Sequence, residues 1–278
     1  MTPWRSQSTP ALPPIGPGGW LRIALRGSVL VLLIVLCLAL MALVRLVERP
    51  LFGLHRPWTP YLTQFVCRMT FVVLGLGFVS RGALMSAPGA VVANHSSWLD
   101  IFALHRRKRI YFVSKSEVAS WPGIGWLARA AGTVFITREA RAARAQKQVF
   151  EDRLAAGHKL AFFPEGTSTD GLQVLPFKST LFAAFFTENL CPISWIQPVT
   201  LRYTAPPGID ARFYGWWGDM SFAPHLLAVL AASPQGMVEV TYHPALRVAD
   251  FADRKTLALA CETVVRAGLE HQERPVEA

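Results

Sequence analysis

Near the amino terminus, the chain carries one long uninterrupted apolar run. Residues 28–44 (SVLVLLIVLCLALMALV) contain no charged side chain over seventeen consecutive positions. As a helix, this run is about 26 Å long, slightly short of the roughly 30 Å hydrocarbon core of a bilayer. Arg26 and Arg45 flank the run, and their long side chains can reach the headgroups and make up the difference. The pattern predicts a retained helix that spans a membrane.

Two segments flank this run. Residues 1–20 are rich in proline and glycine, show no apolar periodicity and are predicted to be disordered. Residues 58–79 are apolar towards their end but include polar side chains and two glycines, which argues against a second full span. We expect an interfacial or re-entrant helix there, and a core helix of the following domain is the alternative. The membrane anchor is therefore assigned to residues 21–79. A cleaved signal peptide is disfavoured because the apolar run is long and no small-residue cleavage site follows it.

From about residue 80 the pattern changes to short β-rich runs that alternate with helical stretches. An amphipathic helix is predicted over residues 139–156, with Gly157 as its end. Strands are predicted at residues 90–93, 110–114, 133–137, 159–163, 196–203 and 237–242. This alternation is typical of an α/β domain with a mixed, largely parallel sheet flanked by helices. One such domain is expected over residues 80–278.

Composition narrows the choice of partners. Hydrophobic residues make up 52% of the chain, charged residues only 17%, and the formal net charge is +10. Such a charge suits a partner with phosphates, either nucleic acid or an anionic membrane surface. The apolar composition favours the membrane, and no nucleic-acid recognition motif is present. The basic run at residues 105–109 fits a solvated face as well as contact with anionic headgroups or an acidic carrier protein.

The four cysteines indicate neither a metal site nor a disulfide framework. They lie far apart in the sequence and form no C-x-x-C pair. The simplest interpretation is four reduced thiols in apolar surroundings. No metal is expected in this protein.

The first candidate for chemistry is residues 94–100 (NHSSWLD), which directly follow a predicted strand. His95 and Asp100 are separated by about 140° around a continuous helix, so they would not share a face. They can meet if His95 lies in a loop and a helix begins near Ser96 or Ser97, which are both good N-cap residues. Asp100 would then fix the imidazole tautomer and leave the other ring nitrogen free as a general base. A capped helix with an incidental histidine is the alternative, since this spacing alone is a weak signal.

The second candidate is residues 163–168 (FPEGTS), at the end of another predicted strand. Ligands bind at the ends of strands in open α/β sheets. Glu165 and Gly166 would place a carboxylate and a flexible backbone there. The neighbouring sequence comes close to the nucleophile elbow G-x-S-x-G, but Asp170 occupies the last position, which disfavours a serine hydrolase.

Three basic residues follow further strands. Residues 132–138 (GTVFITR) form a predicted strand that ends in Arg138, which could bind a phosphate through two hydrogen bonds. Lys115 follows the strand at 110–114, and Lys178 lies in the stretch Pro-Phe-Lys. Each of the three could also be a solvated surface residue.

Together, these blocks resemble one family. NHSSWLD, GTVFITR, FPEGTS and IQPVT (residues 196–200) occur in the order and approximate spacing of the blocks of glycerolipid acyltransferases. The match is to the 1-acyl-sn-glycerol-3-phosphate acyltransferase (lysophosphatidic acid acyltransferase) family and covers roughly residues 80–245. Lys115, Pro122, Gly125 and residues 176–178 also look like the family pattern. Four ordered blocks are far more specific than any one of them.

The resemblance implies a mechanism. His95 removes a proton from the acceptor hydroxyl, which attacks the thioester of an acyl-CoA or acyl-carrier protein, and Asp100 steadies the imidazolium. No covalent acyl-enzyme, metal or other cofactor is implied. The site would lie beside the bilayer, from which the acceptor lipid enters. The residues that would hold the phosphate and glycerol of the acceptor are Arg138, Glu165, Gly166 and Thr167, with Lys115 or Lys178 assisting.

The expected function is therefore transfer of a fatty acyl group to 1-acyl-sn-glycerol-3-phosphate, which gives phosphatidic acid. The high ratio of arginine to lysine is typical of a GC-rich bacterial genome. The expected location is a bacterial inner membrane with the catalytic domain on the cytoplasmic side, although arginines on both sides of the apolar run leave its orientation unassigned by charge. Residues 214–220 (YGWWGDM) depart from the family core and are similar to bacterial members that acylate lyso-ornithine lipid. An acyltransferase for lyso-ornithine lipid or another lysophospholipid is the alternative. An inactive lipid-binding membrane scaffold is the non-enzyme alternative, and the intact His95 and Asp100 argue against it.

Overall fold

The structure is a computed structural model of the chain, and it describes residue 4 and residues 8–107, 109–137 and 143–270. The α-helices are α1 (Pro17–Phe52), α2 (Thr59–Leu74), α3 (Leu99–His105), α4 (Ile124–Ala131), α5 (Ala143–Ala155), α6 (Phe222–Ala231) and α7 (Arg254–Glu270). The strands are β1 (Gly77–Arg81), β2 (Gly89–Ala93), β3 (Ile110–Lys115), β4 (Val134–Ile136), β5 (Lys159–Phe162), β6 (Trp195–Thr204), β7 (Met237–Tyr242) and β8 (Leu246–Arg247).

These strands form one sheet in the order β1-β7-β6-β2-β5-β3-β4, with β8 beside β6. Strand β6 is antiparallel to β7 and β8, and every other neighbouring pair is parallel. The mixed, largely parallel α/β fold predicted from the alternation of elements is confirmed. All residues of β2 are buried, as expected for a central strand with helices on both faces.

The core has two layers, one on each face of the sheet. Val91 and Ala93 of β2 face a layer completed by α2, α3 and α6, whereas Ala90 and Val92 face a layer completed by α5 and α7. This alternation follows from the pleat, because successive side chains of a strand point to opposite faces. The core therefore encloses β2 from both sides and fixes the point at which this strand ends.

The predicted strands are all present, and each end lies within one residue of its predicted position. Strands β1 and β8 were not predicted. α2 ends at Leu74, and its C-cap is Gly75, which has a left-handed φ of 72° that favours glycine. β1 begins at Gly77. The sheet thus includes residues from Gly77 onwards. Helix α5 lies inside the predicted helix 139–156, of which residues 139–142 are outside the described residues.

Helix α1 contains the predicted span, residues 28–44, and has 36 residues in total. It is the helix among the described residues that is long and apolar enough to cross a membrane, by length and composition. It begins at Pro17, so residues 17–20 are helical, and proline at the first position costs no hydrogen bond. Only 11% of its most apolar window is buried. The outward apolar side chains therefore suit contact with lipid.

Both ends of α1 contact the rest of the protein. Near its start, Arg26 donates hydrogen bonds of 2.8 Å to the carbonyl oxygens of Leu230 and Ala232, at the end of α6. Near its end, the buried carboxylate of Glu48 accepts hydrogen bonds from the backbone N–H and the hydroxyl of Thr59, where α2 begins. These contacts place α1 alongside the α/β domain.

Helix α2 combines features of both predicted interpretations. Phe71 and Leu74 are buried in the core layer that α2 shares with α3 and α6, as expected of a core helix. Trp58, just before α2, and Tyr61 in its first turn are exposed, as is expected of aromatic residues at headgroup depth. Its two faces therefore suit contact with the core on one side and lipid on the other.

Candidate active site

Three neighbouring parallel strands end where the candidate residues are found. In the sheet, β5 lies between β2 and β3. His95 follows β2, Glu165 follows β5, and Lys115 is the last residue of β3. Because the strands are parallel, their carboxyl ends meet at one edge of the sheet, which is where such folds bind ligands. The fold brings together residues from three separate sequence blocks.

His95 and Asp100 are in direct contact. His95 Nδ1 lies 2.7 Å from Asp100 Oδ2, and the same oxygen accepts hydrogen bonds from the backbone N–H groups of Ser96 (2.7 Å) and Ser97 (3.0 Å). Helix α3 begins at Leu99, later than the predicted start near Ser96 or Ser97. The reason is that these two amides bind the Asp100 carboxylate and so hold the catalytic loop, residues 94–98, outside the helix. Asp100 nevertheless points back at the imidazole, as predicted.

A further donor to Asp100 comes from the distant strand β6. The hydroxyl of Tyr203 donates a 2.8 Å hydrogen bond to Asp100 Oδ1. Burial raises the pKa of Tyr203 well above its ordinary value, and the neighbouring Asp100 charge raises it further. The hydroxyl therefore stays protonated and keeps donating. The Asp100 side chain is fully buried, and these four hydrogen bonds satisfy a carboxylate that would otherwise be costly to bury. No sequence motif marks Tyr203.

The imidazole of His95 is held by an aromatic stack. Its ring lies on Phe163 with centroids 4.0 Å apart and planes 8° apart, and Phe163 also stacks on Phe112. The side chain of His95 is 21% exposed. Among the described residues, no hydrogen bond is made by its Nε2. This nitrogen is therefore available to a substrate hydroxyl, while Nδ1 faces the carboxylate.

The carboxyl group of Glu165 accepts a hydrogen bond from the backbone of the catalytic loop. Glu165 is 1% exposed. Its Oε1 accepts a 2.7 Å hydrogen bond from the backbone N–H of His95, and its Oε2 accepts a 2.8 Å hydrogen bond from that of Leu175. Burial raises the pKa of Glu165 to about 8, and the nearby Asp100 adds to the rise, whereas the two amides oppose it. Contact of this side chain with the acceptor stays a prediction, because both oxygens already bind main-chain amides.

Lys115 and Lys178 converge on the turn that follows β5. Lys115 Nζ donates to the carbonyl oxygen of Gly166 at 3.2 Å, and Lys178 Nζ donates to that of Glu165 at 2.8 Å. Gly166 has a φ of 72°, the left-handed region that favours glycine. Thr167 follows it and is half-buried. The two ammonium groups and this turn form one cluster beside His95, and their contact with an acceptor headgroup stays a prediction.

Arg138 lies outside the described residues, so its proposed contact with phosphate stays a prediction. Strand β4 ends at Ile136, and β4 pairs with β3 at the edge of the sheet. Within the described part of the chain, no group of three metal-ligating side chains is close enough to hold an ion.

Residues 214–220, here called the aromatic segment, contact the catalytic loop directly. The backbone N–H of Trp216 donates a 2.8 Å hydrogen bond to the carbonyl oxygen of Ser96. Tyr214 and Trp217 are buried in the domain. Phe222, just beyond the segment, packs edge-on against Trp98 of the loop and against Trp216. The segment that departs from the family core therefore contacts Ser96, the residue that follows His95 in the sequence.

The comparisons with known proteins agree with this geometry. The acyltransferase family profile matches residues 79–201. A lyso-ornithine lipid O-acyltransferase from Rhodobacter capsulatus is 57% identical over 271 residues, which are 98% of this chain and 98% of the relative. A 1-acyl-sn-glycerol-3-phosphate acyltransferase from Neisseria gonorrhoeae is 43% identical over 114 residues, which are 41% of this chain and 43% of that relative.

The crystal structure of the 1-acyl-sn-glycerophosphate (LPA) acyltransferase PlsC from Thermotoga maritima has the same fold. Its TM-score is 0.58 at 22% identity, and the match covers 91% of this chain and 100% of that one. The family match and the near full-length relative show that this protein is an acyltransferase and belongs to the glycerolipid acyltransferase family.

Proposed function

We propose that the protein transfers a fatty acyl group from an acyl thioester to the free hydroxyl of lyso-ornithine lipid. The observation that carries the proposal is the 57% identity to a lyso-ornithine lipid O-acyltransferase over 98% of both chains. The similarity to a 1-acyl-sn-glycerol-3-phosphate acyltransferase covers only 41% of the chain. Lysophosphatidate, the acceptor expected from the blocks alone, is therefore the second candidate.

The aromatic segment supports this choice of acceptor. It lies outside the four blocks that the sequence shares with lysophosphatidate acyltransferases, and its Trp216 amide binds the catalytic loop. A headgroup that approaches His95 from this side would meet Trp216 and the edge of Trp98. Such a surface suits an acceptor without a phosphate better than a cluster of cations would.

The hydrogen bonds around His95 support direct transfer. With its proton on Nδ1 and directed at Asp100, the imidazole presents Nε2 as a base to the acceptor hydroxyl. As the hydroxyl oxygen bonds to the thioester carbonyl carbon, Nε2 takes the proton and Asp100 stabilises the imidazolium. The carbon–sulfur bond then breaks, and Nε2 returns the proton to the departing thiolate. The acyl group thus passes to the acceptor without bonding to the enzyme.

The proposed setting is a bacterial inner membrane with the catalytic domain on the cytoplasmic side. The proposed donor is acyl-carrier protein or acyl-CoA, and no further cofactor takes part. The exposed apolar surface of α1 supports membrane attachment. A lipid acceptor is held in the bilayer, so attachment brings the enzyme to its substrate.

An acceptor panel tests the proposal. Purified full-length protein is given one labelled acyl donor with lyso-ornithine lipid or lysophosphatidate, and kcat/KM is compared. The His95→Ala variant should lose about 10²–10⁴-fold in turnover on the preferred acceptor. His55→Ala, at an exposed histidine, serves as the matched control and should keep its activity. Higher kcat/KM for lysophosphatidate would overturn the acceptor, and acyl label retained on denatured enzyme would overturn direct transfer.

Arg138 separates the two acceptors further. If lysophosphatidate is the acceptor, its phosphate needs a cation, and Arg138→Ala should reduce acceptor kcat/KM about ten- to a hundredfold. If lyso-ornithine lipid is the acceptor, no such selective loss is expected. Equal loss on both acceptors would mean that Arg138 supports the fold.

A further inference from the structure

A cavity of about 450 Å³ lies between α1 and the catalytic domain. One wall is apolar and consists of Leu38, Met41 and Ala42 from α1. The opposite wall includes Arg129 near the end of α4 and Arg153 near the end of α5. Because α4 and α5 lead into the parallel strands β4 and β5, these arginines lie at the edge where the strands begin.

This edge is opposite to the one that carries His95. The guanidinium of Arg153 lies over the ring of Tyr111, which is the second residue of β3, whereas Lys115 at the other end of β3 belongs to the active-site cluster. Tyr111 and Lys115 are four positions apart along the strand, which corresponds to about 13 Å. The cavity is therefore a separate site from the one that holds His95.

The cavity contains more positive than negative charge. Four of its lining residues are arginines: Arg45, Arg56, Arg129 and Arg153. Arg45 forms an ion pair with Glu48. Within the described part of the chain, the other three form no ion pair with a carboxylate. Several guanidinium groups facing one space repel each other unless an anion lies between them.

Arg56 is the most buried of the four and is fixed in place. It is 8% exposed, and it donates hydrogen bonds to the Thr59 hydroxyl at 3.0 Å and to the Ala130 carbonyl oxygen at 2.7 Å. Its guanidinium packs against the backbone of Gly132, where a Cβ atom would collide with it. Burial lowers the pKa of Arg56 and of Arg153, and the charge of Arg45 adds to the effect at both. The carboxylate of Glu48, which also pairs with Arg45, opposes this fall in the pKa of Arg56. One carboxylate does not balance four guanidinium groups, so the cavity needs a further counter-charge.

The apolar wall and its surroundings indicate where that counter-charge comes from. Val35 and Leu46 on α1 are exposed on the side of the helix next to Ala42 and suit lipid chains. Trp58 and Tyr61, next to Glu48 at the start of α2, are exposed and suit the level of the headgroups. Planar guanidinium groups match the oxygens of a phosphate, and basic pockets beside membrane helices bind anionic headgroups.

We propose that this arginine cavity binds the phosphate headgroup of one anionic phospholipid, whose acyl chains lie along the apolar wall of α1. The lipid is a bound component of the protein, distinct from the acyl acceptor at His95. It neutralises the arginines and joins α1 to α4 and α5. The proposal does not depend on which lysolipid is the acceptor.

Native mass spectrometry of the full-length protein in detergent tests the proposal, with phosphatidylglycerol as the probe. Phosphatidylcholine controls for a neutral lipid, and sn-glycerol-3-phosphate for a soluble phosphate without chains. The wild type should retain one phosphatidylglycerol in preference to phosphatidylcholine. The double variant Arg129→Gln/Arg153→Gln should lose about tenfold in affinity for each arginine removed. The matched control Arg247→Gln/Arg254→Gln removes two exposed charges elsewhere and should bind like the wild type.

A second variant blocks the cavity without changing its charge. Ala42→Trp places a large ring at the apolar wall and should also abolish retention, whereas Leu40→Trp, on the opposite face of α1, should not. Acyl transfer in a detergent without phospholipid shows that each variant is folded, because His95 lies at the other edge. Equal loss in the arginine control, unchanged binding in either cavity variant, or equal affinity for sn-glycerol-3-phosphate and phosphatidylglycerol would overturn the proposal.

Discussion

The buried carboxyl group of Glu165 should make the stability of the protein fall as pH rises, and Glu165→Gln should remove this dependence. Glu165 is 1% exposed, and burial raises its pKa from the ordinary 4.5 to about 8, with Asp100 adding to the rise. The folded protein therefore keeps this proton up to about pH 8, whereas the unfolded chain releases it near 4.5. Glutamine is close in shape and does not titrate.

The sign and size follow from linkage. Between about pH 4.5 and 8 the folded state binds more protons than the unfolded state, so stability decreases with rising pH. The contribution is fully present below 4.5 and is lost as pH passes through about 8. At about 1.4 kcal/mol for each tenfold change in proton concentration, the whole window is worth up to about 5 kcal/mol. The variant should start about 1–3 kcal/mol less stable at low pH, because its NH₂ group faces one of the two amide donors.

Thermal unfolding in detergent between pH 5 and 9 measures this effect. The wild type should be the more stable protein at low pH, and its advantage over Glu165→Gln should fall as pH rises. Because the loss of up to about 5 kcal/mol exceeds the initial advantage of about 1–3 kcal/mol, the difference should change sign and level off above about pH 8. Glu117→Gln, which changes an exposed carboxylate, is the matched control and should follow the wild type. A constant difference between wild type and Glu165→Gln across the range would refute the argument that Glu165 is neutral in the folded protein.

Three further results are expected. Tyr203→Phe removes one of four hydrogen bonds to Asp100. It should raise the activation free energy of the reaction by about 1–3 kcal/mol and lower the free energy of unfolding by about the same amount. An unchanged kcat would contradict a role of Tyr203 in holding Asp100. Asp100→Asn can keep its oxygen on His95 Nδ1 and its NH₂ group on Tyr203, so it should lose less turnover than Asp100→Ala, and equal kcat values would argue against this geometry. Full-length protein should stay in carbonate-washed membranes, whereas deletion of residues 1–50 should release part of it; free release of the full-length protein would exclude stable insertion of α1 into the membrane.

The local sequence determines much of the fold and part of the site. Strands such as residues 237–242 combine an apolar pattern with clear ends, so their position follows from a few neighbouring residues. The pair His95 and Asp100 is also local, because five residues of loop and helix start suffice to bring the two side chains together. Strand β1 was missed because its apolar residues continue those of α2 without a change of pattern. Only its pairing with β7, 160 residues away in register, makes it a strand.

Tertiary structure alone decides what surrounds these residues. Tyr203 reaches Asp100 across 103 residues, and Glu165 reaches the backbone of His95 across 70. Neither contact leaves a pattern in the sequence, since each depends on where whole strands end in the sheet. The pKa of Glu165 is likewise a property of burial, which no single segment sets. The arginine cavity shows this most clearly. Its four arginines are separated in the sequence, and their positive charges face one space only after the helices have packed.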